Sequence, residues 1–496
     1  MIPLRQFSAR GPVLLLASIL STGCTIGPKY QRPAAPAPAA LKELVGNDEW
    51  KVATPSDGLL KGKWWEIFGD PELNRLEELV VANNQNIVQA EAQFREARAL
   101  VMANHANYYP TIGSSPSITQ NRNYAEKTST SFSLPATVSW EPDLWGRVRL
   151  SVENASANAE VSAADLENIR LSQQALLATD YFLLAAQDMQ LRVLAGTIES
   201  YAKNLQLTID RHAGGVASKS DITLAQTQLA SAKAQSTDMR VARAQDEHAI
   251  AVLIGQPPSS LEIATTLIKG PPPPIPIGVP STLLERRPDI AASERQVAAA
   301  NANIGLAEAA YYPTLTLSAT PGFLANSLLN LLTYKNRSWS AGPGISETLF
   351  DFGRRKSALA GAEAAYDATV AGYRQTVLSA FQEVEDDLSS LRYLAEEAVQ
   401  QQEAVVAAQE ALELEILRYR AGTDSYLNVI TTQIIALQDQ QTAITILQRR
   451  MSAAIDLVKA LGGGWKDSTL PTPDALRSTA LADPANTRNV ARTVGE

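Results

Sequence analysis

The chain repeats itself. Tyr108-Tyr109-Pro110-Thr111 returns as Tyr311-Tyr312-Pro313-Thr314, Trp145-Gly146-Arg147 as Phe352-Gly353-Arg354, and Arg211-x-x-x-Gly215 as Arg418-x-x-x-Gly422, in one order and at nearly constant spacing. A period of roughly 200 residues is far longer than a solenoid unit, so the pattern implies two copies of one structural module. What each module contains then limits what the chain can build.

Composition removes several function classes. A formal net charge of −9 over 496 residues argues against nucleic acid, because phosphate binding needs a basic face. Three histidines and five methionines leave little material for a metal site. Residues 1–23 read as a signal peptide: Arg5 and Arg10 form a basic start, and Val13 to Leu20 a short apolar run. Ser21-Thr22-Gly23-Cys24 resembles the lipobox of bacterial lipoproteins, whose cysteine is acylated after cleavage. Cys24 is the only cysteine, so an intramolecular disulfide is impossible. Thr25 follows it in place of the aspartate that retains lipoproteins at the inner membrane, which favours an outer membrane address. Residues 24–70 form a tether and equatorial segment, with Pro28 to Ala40 extended by their Pro/Ala content.

Past the signal region no run of 18 apolar residues occurs, so no transmembrane helix is expected. A membrane crossing then requires strands closed into a barrel, the other structure that satisfies its own backbone in lipid.

Each module, residues 71–267 and 288–462, reads as helix, two strands, long helix, turn and return helix. In the first, Asp70-Pro71 opens one helix running through Leu73, Leu76, Val80 and Ile87 towards Asn104, and Tyr109-Pro110 ends it. Strands follow at about 111–143. Phe132, Leu134, Ala136, Val138 and Trp140 alternate with Ser133, Thr137 and Ser139, the period of two expected between lipid and a wet lumen. Pro135 and Gly342-Pro343-Gly344 must lie at bends or bulges. A long helix covers about 146–211 and would extend for ~100 Å. The turn 212–219 contains Gly214-Gly215, and the return helix is 220–255. The second module repeats this with strands at about 313–351, helix 354–420, turn 421–424 and return helix 425–461. Ile430, Ile434, Leu437, Gln441, Ile444, Gln448, Met451, Ile455 and Val458 form a coiled-coil seam in that last helix. A Pro-rich linker, 268–287, joins the modules, and a polar tail, 463–496, ends the chain.

Lengths fix the arrangement. Two stacked helices of ~54 Å match one long helix, so a module reads as a wall of one continuous strip and one stacked strip. Its strands number too few to close a barrel in lipid, where about eight is the minimum. The chain must therefore oligomerise.

Further residues resemble a known family, the TolC-like outer membrane factors in their lipoprotein branch. The markers are Cys24-Thr25-Ile26-Gly27-Pro28-x-Tyr30-x-x-Pro33, Trp64-Trp65-x-x-Phe68-x-Asp70-Pro71-x-Leu73 and Leu284-x-Arg286-Arg287-Pro288-Asp289-Ile290. Ala298-x-x-x-Ala302-x-Ile304-Gly305 and Arg418-Tyr419-x-x-Gly422-x-x-Ser425-Tyr426-Leu427 complete them. The resemblance implies a mainly α protein with transmembrane β-strands: a homotrimer whose 12-stranded barrel continues as a 12-helix periplasmic tunnel. It implies an outer membrane exit duct of a tripartite efflux pump, working with a periplasmic adaptor and an inner-membrane pump of the resistance-nodulation-division type. Gly215 and Gly422 then mark the periplasmic tip, where gating and adaptor docking occur. By the same resemblance Asp221 and Tyr419 form a hydrogen-bonded tip link, although Asp221 or Ser220 can equally cap a helix. Arg418, Leu427, Asn428 and Thr431 complete the candidate site, with Leu427 as an apolar constriction, since Asn428 and Thr431 stand where an acidic ring would need carboxylates.

No nucleophile elbow, phosphate loop or paired-cysteine motif is present, so enzyme chemistry is not expected. His105, His212 and His248 are too dispersed for a site, and Asp386-Asp387 read as a solvated helix face. No cofactor is called for beyond the covalent lipid on Cys24. Two other readings remain: a duct for type I protein secretion, and a lipid-anchored coiled-coil scaffold without a pore.

Overall fold

The computed structural model describes residues 26–36, 38, 41–44, 62–122, 124, 128–275 and 286–478. Cys24, the signal segment, the middle of the linker and the tail past residue 478 lie outside the described residues.

The helical frame consists of α1 (Pro71–Asn83), α2 (Gln85–His105), α3 (Arg147–Ala213), α4 (Lys219–Leu253), α5 (Pro288–Ala309), α6 (Arg354–Ala421), α7 (Tyr426–Ala460) and a short α8 (Pro473–Ser478). One expectation fails at the start: Asn84 divides the first helix in two. Its backbone is extended (φ −62°, ψ 123°), and its Oδ1 accepts from the backbone N–H groups of Asn86 and Ile87. Its Nδ2 donates to the Leu253 carbonyl at 2.8 Å, tying the break to the end of α4. A side chain that caps one helix and secures another outweighs an apolar period that runs through the break.

Helix α3, 67 residues long, packs on one side against α2 and α4 and on the other against α5 and α7, while α6 flanks α5 and α7. At 1.5 Å per residue α3 spans ~100 Å, and a 35-residue return helix ~53 Å, so the short helices stack in pairs along the long ones. The wall therefore has four strips: α2/α4, α3, α5/α7 and α6.

The main core lies where the stacked pairs meet. Trp64, Tyr181, Ile250, Ile254, Ile290, Tyr373 and Val377 are fully buried there. Two polar hubs hold this waist. Arg287, itself buried, donates to both Asp289 oxygens and to the Ala460 carbonyl, and pairs with Glu383 at 2.7 Å. Asp188 accepts from Arg243 at 2.6 Å and from Thr266 N–H at 3.0 Å. Buried charges of this kind persist only when their remaining hydrogen-bonding capacity is filled, as here. Asp386-Asp387 is a second correction. Asp386 is exposed, but Asp387 turns into the waist, where burial first, then Asp456, Glu383 and Asp386, pushes its carboxyl up to about 7. Helical phase separates adjacent residues by ~100°, so a charged pair need not share one environment.

The seam of α7 also departs from the heptad at its turn-proximal end. Gln433 and Ala436 are buried there and Ile434 is exposed, because a straight helix of 3.6 residues per turn drifts off a strict 3.5 repeat.

Seven strand segments, β1 (Thr111–Ser114), β2 (Ser117–Arg122), β3 (Thr128–Trp140), β4 (Thr314–Ala319), β5 (Gly322–Ala325), β6 (Arg337–Ser338) and β7 (Ala341–Ser346), form one antiparallel sheet. They make four lines, β1–β2, β3, β4–β5 and β6–β7. Register runs unbroken along every line. Thr111 faces Ser139 and Arg122 faces Thr128; Trp140 faces Leu317 and Phe132 faces Ala325; Thr314 faces Ser346 and Phe323 faces Arg337. The breaks in the first and third lines gather at one level, at Pro116 and Pro321, beside Pro135 of the unbroken β3, which pairs in register with Gly322 and carries no bulge, contrary to expectation. Pro343 lies in the outermost line. The alternation of β3 continues across its neighbours: Leu134 pairs with Phe323, and Trp140 with Leu317, which itself faces Pro343. One sheet face is thus mostly apolar towards the helix end, and the other carries most of the Ser and Thr.

The amino-terminal segment runs along α5. The Tyr30 hydroxyl donates to Glu294, and Asn301 Nδ2 donates to the Pro28 carbonyl at 2.8 Å. A Cβ on Gly27 would lie 2.8 Å from Gly305 Cα, so the Gly27 and Gly305 markers form a backbone-to-backbone contact.

Candidate functional site: the helix-turn tip

The two helix turns meet at the end of the frame farthest from the sheet. Helix α3 stops at Gly214-Gly215, with Gly215 left-handed at φ 78°, and α6 stops at Gly422, also at φ 78°. Both glycines supply the conformation that ends a helix without a Cβ penalty.

The turns are joined by a residue that sequence reading treated only as a repeat marker. Arg211 Nη1 donates to the carbonyls of Tyr419 (2.5 Å) and Arg420 (3.0 Å), and its guanidinium lies 4.6 Å from the Tyr419 ring centre. It adds a charged donor to the last carbonyls of α6, one of which, Tyr419, also accepts from Gly422 N–H, and the helix dipole there favours a cation. Its counterpart in the second repeat, Arg418, instead faces outward and pairs with Glu415 at 2.7 Å. The duplicated motif thus serves two purposes.

Tyr419 is the hub of a small core with Ala225, Tyr426, Val429 and Ile430. Its hydroxyl donates to Thr208 Oγ1 at 3.3 Å, and the Thr208 hydroxyl passes on to the Asn204 carbonyl. The Tyr426 ring packs 5.1 Å from that of Tyr419, tilted by 53°, and burial pushes its hydroxyl up to about 12. The expected Asp221–Tyr419 link is therefore replaced. Asp221 forms a capping box with Ser218: its carboxylate accepts from Ser218 N–H, and its own N–H donates to Ser218 Oγ. The aromatic ring belongs inside the apolar cluster, and the carboxylate is satisfied at the helix start.

At the second turn Asp424 accepts from Ser425 N–H and from Asn428 Nδ2, both at 2.7 Å, bonds that hold its carboxyl below the usual range. Thr431 Oγ1 donates to the Leu427 carbonyl. Leu427 itself is 59% exposed, on the same face as Thr431, Ile434 and Ile435. The tip so built offers a latch between two long helices and an exposed mixed surface of Arg418, Leu427, Asn428 and Thr431. It presents surface and hinge, with no reactive constellation.

Comparison with known proteins decides the class. The profile of the outer membrane efflux protein family matches residues 76–256 and again 279–463, one match for each repeat. The chain belongs to the outer membrane efflux protein family. It is 31% identical over 467 residues to the solvent efflux pump outer membrane protein SrpC of Pseudomonas putida, covering 92% of this chain and 98% of that protein. It is 30% identical to the pyoverdine export outer membrane protein OpmQ of Pseudomonas aeruginosa, with coverage of 86% and 94%. Among solved structures, the outer membrane channel OprN superposes with a TM-score of 0.82 at 30% identity, covering 89% of this chain and all of that one. As an outer membrane efflux protein the chain is a transport conduit and not an enzyme. Its sheet sits in the outer membrane, and its helices extend into the periplasm.

Proposed function

We propose that three copies close one duct, with twelve strand lines forming the outer membrane barrel and twelve helical strips continuing it through the periplasm. One observation carries this reading: the four lines run in unbroken register, yet β1–β2 and β6–β7 are each paired on one side only. Lipid offers no partner for a free edge, and about eight strands is the smallest membrane barrel. The helices repeat the problem. Strips α2/α4 and α6 flank the wall, and α6 leaves Leu378, Val399, Val406, Leu414 and Leu417 exposed.

The sheet supports a membrane location on its own terms. Thirteen residues of β3, at ~3.3 Å each and tilted ~40°, rise ~33 Å, enough to cross a hydrocarbon layer. Tyr109, Tyr311, Tyr312, Phe350 and Phe352 stand exposed at the helix end of the sheet, and Tyr124 and Tyr334 in the hairpin tips at the other, as interfacial girdles require.

Acylation of Cys24 fits this placement. Gly27 lies beside Gly305, four residues before α5 ends and leads into β4, so Cys24, three residues earlier in the chain, is at most ~10 Å from that level. The tip surface of Arg418, Leu427, Asn428 and Thr431 is the docking face for a periplasmic adaptor, which couples the duct to an inner-membrane pump of the resistance-nodulation-division type. Gly215 and Gly422 are the points about which the helices swing, and the latch from Arg211 to Tyr419 holds the resting state. By likeness to solvent and pyoverdine exporters, the cargo is small organic molecules.

Purification in detergent followed by mass determination and planar-bilayer recording tests the core of this proposal. A particle of three times the mass of the processed, acylated chain, with channel conductance, is expected. A stable single subunit that needs no detergent and conducts nothing ends it.

A further inference from the structure

The two modules meet inside the chain at one aromatic junction. Trp145, on the way from β3 into α3, donates its Nε1–H to the Pro313 carbonyl at 2.7 Å. Its ring stacks on Tyr312, with centres 5.0 Å apart and planes inclined by 29°. Tyr312-Pro313 lead directly into β4, the strand that pairs with the end of β3. The strand-to-helix exit of the first module is thus sealed against the helix-to-strand entry of the second.

The second module carries the same exit, and nothing in the chain seals it. Phe352-Gly353-Arg354 stands where Trp145-Gly146-Arg147 stands in the first module. Gly353 (φ 87°) precedes α6 in the left-handed conformation, as Gly146 (φ 79°) precedes α3. Yet Phe352 is 90% exposed, and among the described residues its one ring neighbour is Phe350, 4.5 Å away. Its backbone is left-handed too, φ 54°, the one non-glycine so placed among the described residues. A bulky residue keeps that conformation where its surroundings hold it. A single chain offers Phe352 no such surroundings.

The matching entry is equally open. Tyr109-Pro110 leads into β1 as Tyr312-Pro313 leads into β4, and Tyr109 is 62% exposed against 42% for Tyr312. This entry and the Phe352 exit lie at the helix end of the sheet, on its two outermost lines. The helices show the same asymmetry: α3 is flanked by both α2 and α5, whereas α6 packs against α5 alone of these two.

We propose that Phe352 seats against Tyr109 and Pro110 of the next copy, repeating between chains the junction that Trp145 makes with Tyr312 and Pro313 within one. The inference rests on the reading of the chain as a closed ring of copies. Every seam of that ring, internal or between copies, then has an aromatic side chain from a strand-to-helix exit set into a Tyr-Pro entry. Phenylalanine has no indole N–H, so the seam between copies keeps the ring contact and forgoes the bond to the proline carbonyl.

Cysteine pairs read this contact directly. In outer membranes treated with a short bismaleimide, the full-length Tyr109→Cys/Phe352→Cys variant is expected to give covalent dimers and trimers on a denaturing gel. Either single variant is expected to give monomer only. Phe352→Trp supplies the missing N–H and is expected to raise the temperature at which the assembly dissociates on a heated gel. Phe352→Ser is expected to lower it, with helix content by circular dichroism unchanged in both. Absence of crosslinks between chains, in assemblies whose mass is intact, overturns the contact and leaves the ring standing, because Phe352 then faces lipid. A dissociation temperature unmoved by both substitutions does the same. A parent protein that proves to be a single subunit removes the ring and this contact together.

Discussion

Arg211 and Tyr419 divide the work at the tip unequally, and the geometry ranks them. Arg211 makes two charge-assisted bonds to main-chain carbonyls and stacks on an aromatic ring, whereas the Tyr419 hydroxyl makes one 3.3 Å bond. Charged hydrogen bonds are each worth about 1.5–3 kcal/mol and a neutral one about 1. Arg211→Ala is therefore expected to raise basal conductance in a planar bilayer severalfold, and Tyr419→Phe to change it little. Equal behaviour of the two variants would remove the latch. Glycines separate in the same way. At Gly422 an added Cβ meets only Arg211 Nη2 at 3.5 Å, so Gly422→Ala bears the left-handed backbone cost of about 1–2 kcal/mol. At Gly462, φ 87°, the Cβ would collide with the Arg286 carbonyl, and Gly462→Ala is expected to abolish assembly in heated-gel and thermal-melt assays.

Between elements, the two repeats place an acid at the same level of each long helix. Asp180 of α3 is pushed up to about 6 by burial, then by Asp246 of α4. Asp387 of α6 reaches about 7 through burial, then Asp456 of α7 and Glu383 and Asp386 of its own helix, with Arg287 opposing. A carboxyl raised in the folded state binds its proton more tightly there than in the unfolded chain. Below about pH 4 both states are protonated and nothing is lost; the cost grows through pH 4–7 and is complete above it. Asp387→Asn is thus expected to stabilise the protein at pH 8 by on the order of 1–2 kcal/mol after solvent screening, and to leave it unchanged at pH 4. Thermal melts at the two pH values read the difference, and a gain that persists at pH 4 refutes the assignment. Asn84 shows why such waist features escape a sequence: its capping role is local, but its bond to Leu253 joins residues far apart in the chain.

For the whole molecule, the repeat marks, the helix lengths and the alternation of β3 were enough to fix the class of fold and the four-strip wall. Each is a local or periodic property, written in spacing and in the rise per residue. Long-helix ends fell within a few residues of Gly215 and Gly422 because glycine's conformational freedom is itself local. The tip network was not legible. Arg211 and Arg418 occupy the same motif, yet one seals the end of a neighbouring helix and the other meets solvent. Asp221 and Tyr419 take other partners for the same reason: which groups meet across two turns depends on how α3, α4, α6 and α7 cross, and that is set by packing of the entire frame. The order of residues alone determined what the strips and strands are and how long they run. Only the tertiary structure decided which side chains close the tip, because contacts between distant segments follow from relative helix rotation, which no single segment encodes.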